Sequence, residues 1–439
     1  MTDVLLVAPP YRGLVREPLG LYYLSDVLRR NGISAEAMDL NVLKMSREKF
    51  HEFVRKTNPR IVGLTSYTFN FSSAMRIVEE VKRVDRGVVV VLGGVHASFQ
   101  WKEILGDSGL IDYIVVGEGE LTLLELCQSI LGGASTRDVE GIAYREGEIR
   151  ATPPRGFIDD LGEIPIPDRG ILPQESYPIG VIQTSRGCPF TCIFCNICTF
   201  YKRRIRMREP EDVVEEASIL VDRYKRETIF FFGDTFTLDS AWVDEFCEEI
   251  TRRKLRFNWA CETRIDNVNS HMLRRMRSAG CLEVQYGIEY GDEDVLAKIG
   301  KRISLSNAVE AVKWAKDAGL FVESFFIFNC PGEDEETMDR TFDLIQRAPI
   351  DALEINLLTP YPGTALWEDP AKYGMRITNH NFDNYTTKKY VMENLQFPRK
   401  KFVPAFKNIL KRLNLTPVPR YTPEIFNFLE QEKSTQTFQ

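Results

Sequence analysis

The sequence lacks long apolar runs and an excess of positive charge. None of its apolar stretches approaches the roughly 20 residues that a membrane-spanning helix requires. The 439 residues include 56 Lys and Arg against 63 Asp and Glu, a net charge of −7. Because phosphate neutralisation needs a basic surface, this balance argues against a nucleic-acid partner. The N-terminal MTDVLLVAPP has no basic residue before its short apolar stretch, which indicates a first β-strand rather than a signal peptide. We therefore expect a cytoplasmic protein without a membrane span.

Histidine is scarce, with four residues, whereas cysteine is frequent, with nine. An odd count and a reducing compartment both argue against disulfides. Four of the cysteines lie in SRGCPFTCIFCNIC, with the spacing Cys188-x3-Cys192-x2-Cys195-x2-Cys198. Three thiolates in one loop suit an iron–sulfur cluster that leaves one iron open to a ligand. Structural zinc normally takes four ligands and stays a minor alternative on spacing alone.

The first 150 residues alternate short β-branched runs with amphipathic segments. This pattern predicts a doubly wound parallel sheet with helices on both faces, whose ligands bind at the carboxyl ends of the strands. The predicted strands are VLLVAP (Val4–Pro9), IVGLTSY (Ile61–Tyr67), VVVVLGG (Val88–Gly94) and YIVVGEGE (Tyr113–Glu120). Residues 151–180 contain six prolines, at positions 153, 154, 165, 167, 173 and 178. They predict a linker draped over a surface.

A second series of strand-like runs begins at residue 181. The runs are VIQTS, TIFFFGD, FNWACETR, LEVQYGIE, FVESFFIF and ALEINLLT, separated by amphipathic segments. Six strands with intervening helices predict a partial (β/α)6 barrel rather than the eight-stranded form. We place this barrel at residues 181–370. Residues 371–439 are expected to form a small helical extension that faces the substrate.

The segment from Ser185 to Gly363 resembles the radical S-adenosylmethionine (SAM) superfamily. RGCPFTCIFC has the Arg-Gly-Cys-Pro opening of that family, with an aromatic residue directly before the third cysteine. The resemblance implies that Cys188, Cys192 and Cys195 hold a [4Fe–4S] cluster whose open iron binds SAM. It implies that Phe194 lies on the adenine side of SAM. It further implies cleavage of SAM to a 5′-deoxyadenosyl radical, with an electron donor such as ferredoxin or flavodoxin.

Three downstream elements fall where the family places SAM contacts. In FFFGDTF, the resemblance points to Gly233 and Asp234 beside the SAM amino group. In GIEYGDEDVL, it points to Glu289 at the ribose or methionine end of SAM. FIFNCPGE departs from the family pattern, because Asn329 and Cys330 stand where Gly and an apolar residue are usual. This departure concerns the backbone approach to the adenine.

The basic run YKRRIRMRE and the fourth cysteine are open to two interpretations each. Alternation would point Arg204, Arg206 and Arg208 to one face of an extended strand. The resemblance implies that one of them meets the SAM carboxylate or the substrate, and Arg206 is our candidate. A solvated loop is the alternative. Cys198 is interpreted as a free thiol of the loop, since a fourth ligand would close the cluster to SAM.

The N-terminal part resembles the cobalamin-binding domains of one radical SAM subclass. The matching elements are APPYRG followed by PLGLYYLSDVLRRNG, the strand-end Asp39, GLTSYT, VVLGGVHAS and DYIVVGEGELTLLEL. The motif Asp-x-His-x-x-Gly, which supplies an axial histidine in some such domains, is absent. His96 is interpreted as a hydrogen-bonded loop histidine. The resemblance implies a cobalamin site formed by Thr65, Ser66, Gly93, Gly94, Gly117, Glu118, Gly119 and Glu120.

These resemblances imply an enzyme similar to the class B radical SAM methyltransferases. It would methylate an unactivated carbon of a small molecule, peptide or protein through a 5′-deoxyadenosyl radical and methylcobalamin. A second hypothesis is a radical SAM enzyme of other chemistry, such as carbon–carbon coupling, cyclisation or dehydrogenation, whose N-terminal domain does not methylate. A third is a non-enzymatic scaffold in which the cysteine loop is a structural metal site.

Overall fold

The computed structural model describes residues 2–11, 16–233 and 235–413. The chain divides into two compact units at the bond between Val181 and Ile182. Seven strands form the sheet of the first unit: β1 (Val4–Ala8), β2 (Ala35–Asp39), β3 (Ile61–Thr65), β4 (Val89–Gly93), β5 (Tyr113–Val115), β6 (Ile142–Glu146) and β7 (Glu148–Ala151). Its helices are α1 (Leu19–Arg30), α2 (Leu40–Leu43), α3 (Arg47–Thr57), α4 (Phe71–Val84), α5 (Val95–Asp107) and α6 (Glu120–Gly132).

The first sheet has the order β2-β1-β3-β4-β5-β6-β7. Strands β1 to β5 are parallel, and β6 and β7 are added antiparallel at one edge. Alternate residues of β1 face opposite sides: Leu5 and Val7 pack with α3, α4 and α5, whereas Val4 and Leu6 pack with α1 and α6. The predicted doubly wound architecture is confirmed. The strand order reverses between β1 and β3, which is where ligands of such sheets bind.

The apolar periodicity missed β2 and the β6–β7 hairpin, although the resemblance placed a strand end at Asp39, where β2 ends. Strand β2 has the sequence AEAMD, whose residues favour helices, so it is a strand through its pairing with β1. The hairpin is short, with Gly147 between its strands, and close to half of the strand residues are charged. It therefore lacks the apolar run by which the other strands were recognised.

The proline-rich segment after β7 is held on the first unit by buried polar contacts. Arg169 and Glu17 form an ion pair of 2.7 Å in which both side chains are almost fully buried. The Tyr177 hydroxyl donates to Asp39 Oδ2 at 2.8 Å, and burial next to this carboxylate raises the pKa of Tyr177. These contacts bind the segment to the residues just before α1 and to the carboxyl end of β2.

Six strands form the main sheet of the second unit, in the order in which they follow along the chain. The strands of this unit are β8 (Gly180–Gln183), β9 (Ser185–Arg186), β10 (Arg206–Met207), β11 (Thr228–Phe232), β12 (Asn258–Arg264), β13 (Cys281–Glu289), β14 (Phe321–Phe328), β15 (Ala352–Leu357), β16 (Met375–Ile377) and β17 (Met392–Asn394). The main sheet is β8-β11-β12-β13-β14-β15, and its pairs from β11 onward are parallel. All six predicted strands of the partial barrel are therefore present.

The helices of the second unit are α7 (Ile197–Phe200), α8 (Pro210–Asp222), α9 (Ser240–Arg252), α10 (Ser270–Ser278), α11 (Glu293–Lys298), α12 (Leu305–Asp317), α13 (Glu335–Arg347), α14 (Ala365–Glu368) and α15 (Arg399–Arg412). Those from α8 onward contribute buried residues to the hydrophobic core around the sheet. Acidic and amide side chains start several of them: Asp239 accepts hydrogen bonds from the first turn of α9, and Asp334 forms a reciprocal cap on α13. In the part of the chain that the structure describes, no helix has both the length and the apolarity needed to cross a bilayer.

Candidate active site

The three predicted cluster ligands lie in the loop between β9 and α7. Cys188, Cys192 and Cys195 are half-buried, and none of the nine cysteines, all of which the structure describes, forms a disulfide. Among the described residues, no three Cys, His, Asp or Glu side chains converge closely enough to hold a metal ion. The donor set nevertheless fits an iron–sulfur cluster, because three reduced thiols share one short loop. Binding a cluster requires these thiols to turn toward one another.

The backbone of the cysteine loop is held from two directions. The Ile193 N–H donates to the Ile299 carbonyl at 3.0 Å, and the Leu366 N–H donates to the Ile193 carbonyl at 3.1 Å. Within the loop, the Cys195 N–H donates to the Cys192 carbonyl at 3.2 Å. The thiols therefore project from a fixed backbone, and only their side chains are left to adjust.

Gly300 allows the neighbouring segment to approach this loop closely. Its φ is +77°, and a Cβ there would lie 2.4 Å from the Thr191 carbonyl oxygen. We expect Gly300→Ala to destabilise the second unit by about 2–4 kcal/mol and to lower its iron content, since strain and a backbone clash add. Urea unfolding and iron analysis after reconstitution test this.

Gly374 provides the matched control for that substitution. Its φ is +67°, but nothing lies within 4 Å of a Cβ at this position. Gly374→Ala should therefore show the backbone strain alone, about 1–2 kcal/mol, with full iron content. Equal effects of the two substitutions would contradict the role assigned to Gly300.

Cys198 stands apart from the other three cysteines of the stretch. It is 8% exposed, and its thiol donates to the Cys195 carbonyl at 3.2 Å. This contact links the first turn of α7 to the loop that precedes it. The geometry agrees with the interpretation of Cys198 as a free thiol of the loop, which stays a prediction.

Cys192 lies next to a buried ion pair. The Lys301 ammonium is 2.7 Å from Glu289 Oε1, and both side chains are at most 10% exposed. Burial raises the pKa of the Cys192 thiol to about 11, and the nearby Lys301 ammonium opposes that shift. Because metal ligands must be thiolates, cluster binding at Cys192 displaces a proton. Lys301 is thus a charged neighbour of the loop that the sequence analysis did not single out.

Glu289 occupies an unusual backbone position at the end of β13. Its φ is +71°, in the left-handed region that residues other than glycine seldom adopt. The pairing of β13 with β14 shifts register between Gly287 and Glu289, so a bulge redirects the chain here. Such strain is concentrated at functional sites, which is consistent with the predicted SAM contact.

Arg264 is a second cation at the loop that sequence reasoning missed. Its guanidinium lies 3.7 Å from the centroid of the Phe190 ring. The same group forms two hydrogen bonds, of 2.9 and 2.7 Å, with the Asp266 carboxylate. Arg264 therefore fixes the side of the loop that carries Phe190. No local motif marks it, because only the end of β12 brings it to this position.

Two other predicted SAM contacts lie in different parts of the second unit, Gly233 at a strand end and Phe194 in the cysteine loop. Gly233 follows β11 and packs against Thr184 and Ser185. Phe194 is partly buried against the hydrophobic core. Asp234 lies outside the described residues. The predicted roles of these residues in SAM binding stay predictions.

The three alternating arginines do not share one environment, because Arg204 is exposed whereas Arg206 and Arg208 are buried. Arg206 belongs to β10 and is buried, with its guanidinium 5.4 Å from the centroid of the Tyr201 ring. Arg208 forms a buried ion pair of 2.5 Å with Glu216 and also donates to the Gln183 carbonyl. Arg208 is therefore committed to packing, and Arg206 stays the candidate.

The departure at Asn329 and Cys330 is accommodated by the fold. Asn329 has a φ of +67°, a conformation that asparagine tolerates better than most residues. Cys330 is completely buried, as an apolar residue would be. The buried Glu333 carboxylate accepts N–H groups of both residues, at 3.0 and 3.2 Å, and burial raises its pKa to about 8. The positive φ of Asn329 is thus one that Gly would adopt readily, and the buried Cys330 fills a position suited to an apolar side chain.

The predicted cobalamin contacts lie at the carboxyl ends of β3, β4 and β5. Thr65 is half-buried, whereas Ser66 is buried and donates its hydroxyl to the Gly93 carbonyl at 3.0 Å. Gly94 has a φ of +93°, and a Cβ there would lie 2.7 Å from the Ser66 carbonyl oxygen. Ser66 and Gly94 therefore allow the carboxyl ends of β3 and β4 to pack closely against each other.

The loop from Gly117 to Glu120 connects β5 to α6. The Gly117 N–H donates to Ser98 Oγ at 3.0 Å, and a Cβ at Gly117 would meet nothing within 4 Å. The Glu118 carboxylate accepts the Ile158 N–H at 3.0 Å, so Glu118 ties the proline-rich segment to this loop. Gly119 precedes α6, and Glu120 is its buried first residue. Gly117 is the member of this loop that leaves open space.

His96 is buried behind these loops. Its Nδ1 lies 3.1 Å from Thr68 Oγ1, and its ring centroid is 4.5 Å from that of Phe71. Burial lowers the pKa of His96 to about 4. The predicted hydrogen bonding of His96 is therefore present, but the predicted loop position is wrong, because His96 lies in the first turn of α5.

Comparison with known proteins agrees with this arrangement. The radical SAM superfamily matches residues 182–345, and the B12 binding domain matches residues 12–127. An uncharacterized methyltransferase of Pyrococcus horikoshii is 34% identical over 407 residues, which cover 89% of this chain and 87% of the relative. An anaerobic magnesium-protoporphyrin IX monomethyl ester cyclase of Rubrivivax gelatinosus is 30% identical over 383 residues, covering 84% and 68% of the two chains.

A solved structure shares the fold of the whole chain. It is the radical SAM methyltransferase TsrM of Kitasatospora setae with tryptophan and a SAM analogue bound. The TM-score is 0.81 at 19% identity, covering 99% of both chains. The chain belongs to the radical SAM superfamily, in the group whose members carry an N-terminal B12-binding domain.

Proposed function

We propose that this protein is a cobalamin-dependent radical SAM enzyme that transfers a methyl group to an unactivated carbon. Its substrate is a small molecule, a peptide or a protein residue, and a ferredoxin or flavodoxin supplies electrons. The hydrogen atoms of such a carbon are not acidic enough for a side-chain base to remove, so the cofactors must supply the reactivity. A scaffold without catalysis would not need an open iron, which makes the third hypothesis the weakest.

One observation carries the proposal: a single chain combines a three-cysteine loop at a strand end with a B12-type sheet. When bound, the cluster with SAM supplies a 5′-deoxyadenosyl radical, and the cobalamin supplies the methyl group. The first three thiols, Cys188, Cys192 and Cys195, would hold the cluster. Cys198 donates to the Cys195 carbonyl and would leave one iron open.

The residues around the loop would position and shield the reactants. Lys301 and Glu289 place a paired cation and anion beside Cys192, where the charged amino and carboxylate groups of SAM can find partners. Arg264 over Phe190 and the hydrogen bonds at Ile193 keep the loop from shifting. A preorganised site of this kind reduces the cost of orienting the reactants.

A cyclase of other radical chemistry is the second candidate. It is favoured by the similarity to the magnesium-protoporphyrin ester cyclase of Rubrivivax gelatinosus, which spans 84% of this chain. In that case the first unit would bind a cofactor or substrate without passing on a methyl group. The two functions differ in the fate of the SAM methyl carbon.

Isotope labelling separates the two functions. The full chain is reconstituted anaerobically with iron, sulfide and hydroxocobalamin, reduced, and given SAM with a deuterated methyl group. We expect both 5′-deoxyadenosine and S-adenosylhomocysteine, together with label on the protein-bound cobalamin. With a substrate, the product should gain the mass of one labelled methyl group.

Each outcome of this experiment decides between the hypotheses. Formation of 5′-deoxyadenosine without S-adenosylhomocysteine would support the cyclase and reject methyl transfer. A protein that rebuilds its cluster but retains no cobalamin through gel filtration would also reject it. Absence of both SAM products would support the scaffold.

A further inference from the structure

Three aromatic rings meet at the carboxyl ends of β1 and β3. Tyr11 follows β1, and Tyr67 and Phe69 follow β3. The Tyr67 and Phe69 rings are parallel within 3°, with centroids 5.5 Å apart. The Tyr11 ring meets Phe69 edge to face, with centroids 5.6 Å apart. These three residues form what we call the aromatic platform.

The platform lies open at the point where the strand order of the sheet reverses. Tyr67 is 49% exposed, which makes it one of the most exposed large apolar side chains of the described residues. Soluble proteins usually bury such rings, and an exposed group of them marks a binding surface. The reversal between β1 and β3 is also the position at which doubly wound sheets bind ligands. The exposure of Tyr67 and the reversal of strand order therefore both indicate a binding surface at the carboxyl ends of β1 and β3.

The backbone under the platform is rigid. The Tyr67 N–H donates to Asn70 Oδ1 at 2.8 Å, and the Asn70 N–H donates to the Tyr67 carbonyl at 3.2 Å. Thr68, between the two platform residues, lies 3.1 Å from the buried His96 ring nitrogen. His96 thus supports the turn that presents the rings. The rings are held in place before any ligand arrives, which lowers the entropic cost of binding.

We propose that the aromatic platform is the surface on which the flat corrin ring of cobalamin rests in the first unit. This inference depends on cobalamin binding, as in the proposed function. A planar macrocycle gains most from a planar apolar surface, and the exposed Tyr67 ring, which is stacked on the Phe69 ring, provides one. Gly117 leaves open space at the carboxyl end of β5, on the same edge of the sheet, for the edge of the macrocycle.

Cobalamin affinity tests the platform without any measurement of turnover. The full chain is titrated with hydroxocobalamin, and the dissociation constant is taken from the change in visible absorbance. We expect Tyr67→Ala to raise Kd at least about tenfold, which corresponds to about 1.4 kcal/mol. Tyr67→Phe, which keeps the ring, should bind within about twofold of the unsubstituted protein. Phe321→Ala is the matched control, because Phe321 is 45% exposed but lies in the second unit.

Cobinamide, which has the corrin but no nucleotide tail, identifies the part of the ligand that touches the platform. Tyr67→Ala should weaken cobinamide binding by the same factor as cobalamin binding. A loss confined to cobalamin would assign the rings to the nucleotide tail and overturn the proposal. Unchanged affinity of Tyr67→Ala for both ligands would overturn it as well. If the unsubstituted protein binds neither ligand, the proposed function itself fails.

Discussion

Replacing Cys192 with alanine is expected to abolish the iron–sulfur absorbance of the reconstituted protein and to reduce 5′-deoxyadenosine formation to background. Three thiolates hold the cluster in our proposal. The other potential donors are engaged elsewhere, because the Cys198 thiol donates to the Cys195 carbonyl and the Glu289 carboxylate is paired with Lys301. The same result is expected for Cys188→Ala and Cys195→Ala. Absorbance near 400 nm, iron content and chromatography of the SAM products measure the effect.

Cys198→Ala is the matched control for these variants. It removes a thiol from the same stretch, but this thiol is hydrogen-bonded to the Cys195 carbonyl. We expect it to keep its cluster and its 5′-deoxyadenosine formation, with a loss of stability of about 1 kcal/mol. A Cys198→Ala protein without a cluster, together with a Cys195→Ala protein that retains one, would reverse the assignment of the ligands.

Lys301→Met is expected to destabilise the second unit by about 3–5 kcal/mol, because it leaves the Glu289 carboxylate buried without its partner. The ion pair is 2.7 Å long and almost completely buried, so solvent cannot compensate for the loss. Tryptophan fluorescence during urea unfolding is a suitable readout. Four of the five tryptophans, at positions 242, 259, 314 and 367, lie in the second unit.

Two further variants show whether burial is the cause. Lys316 pairs with Asp351 at 2.6 Å, but these side chains are 33% and 25% exposed. Lys316→Met should therefore cost no more than about 1 kcal/mol. The double variant Lys301→Met/Glu289→Gln removes the unpaired charge and should recover part of the stability. Equal losses of stability for Lys301→Met and Lys316→Met would show that burial does not increase the contribution of the Lys301–Glu289 pair.

The architecture could be predicted because its signals are local. Most strands of the parallel sheets are β-branched or aromatic runs, such as Val89–Gly93 or Thr228–Phe232. The cysteine loop is likewise contiguous in sequence. The apolar pattern does not reveal β2, because most of its residues favour helices and its pairing with β1 makes it a strand; only the resemblance indicated its end at Asp39.

The surroundings of the candidate site could not be predicted, because they are assembled from distant segments. Lys301 follows α11, yet its ammonium reaches Glu289 at the end of β13. Arg264 meets Phe190 across 74 positions of sequence. A single lysine or arginine at a strand or helix end looks like a surface cation until the fold is known. The positive φ of Glu289 and Asn329 is also invisible in the sequence, since neither residue is glycine.

The contacts beneath the proline-rich segment determine where the chain can be recombined. Arg169 and Tyr177 reach back to Glu17 and Asp39, and Gln174 donates to the Tyr22 hydroxyl at 2.9 Å. A fragment that ends at residue 150 would expose Glu17, Asp39 and Tyr22 to solvent. It would still contain all seven strands of the first sheet, apart from the last residue of β7. Gene fusion in evolution, or domain exchange in the laboratory, therefore transfers an intact module only when the break falls near residue 181.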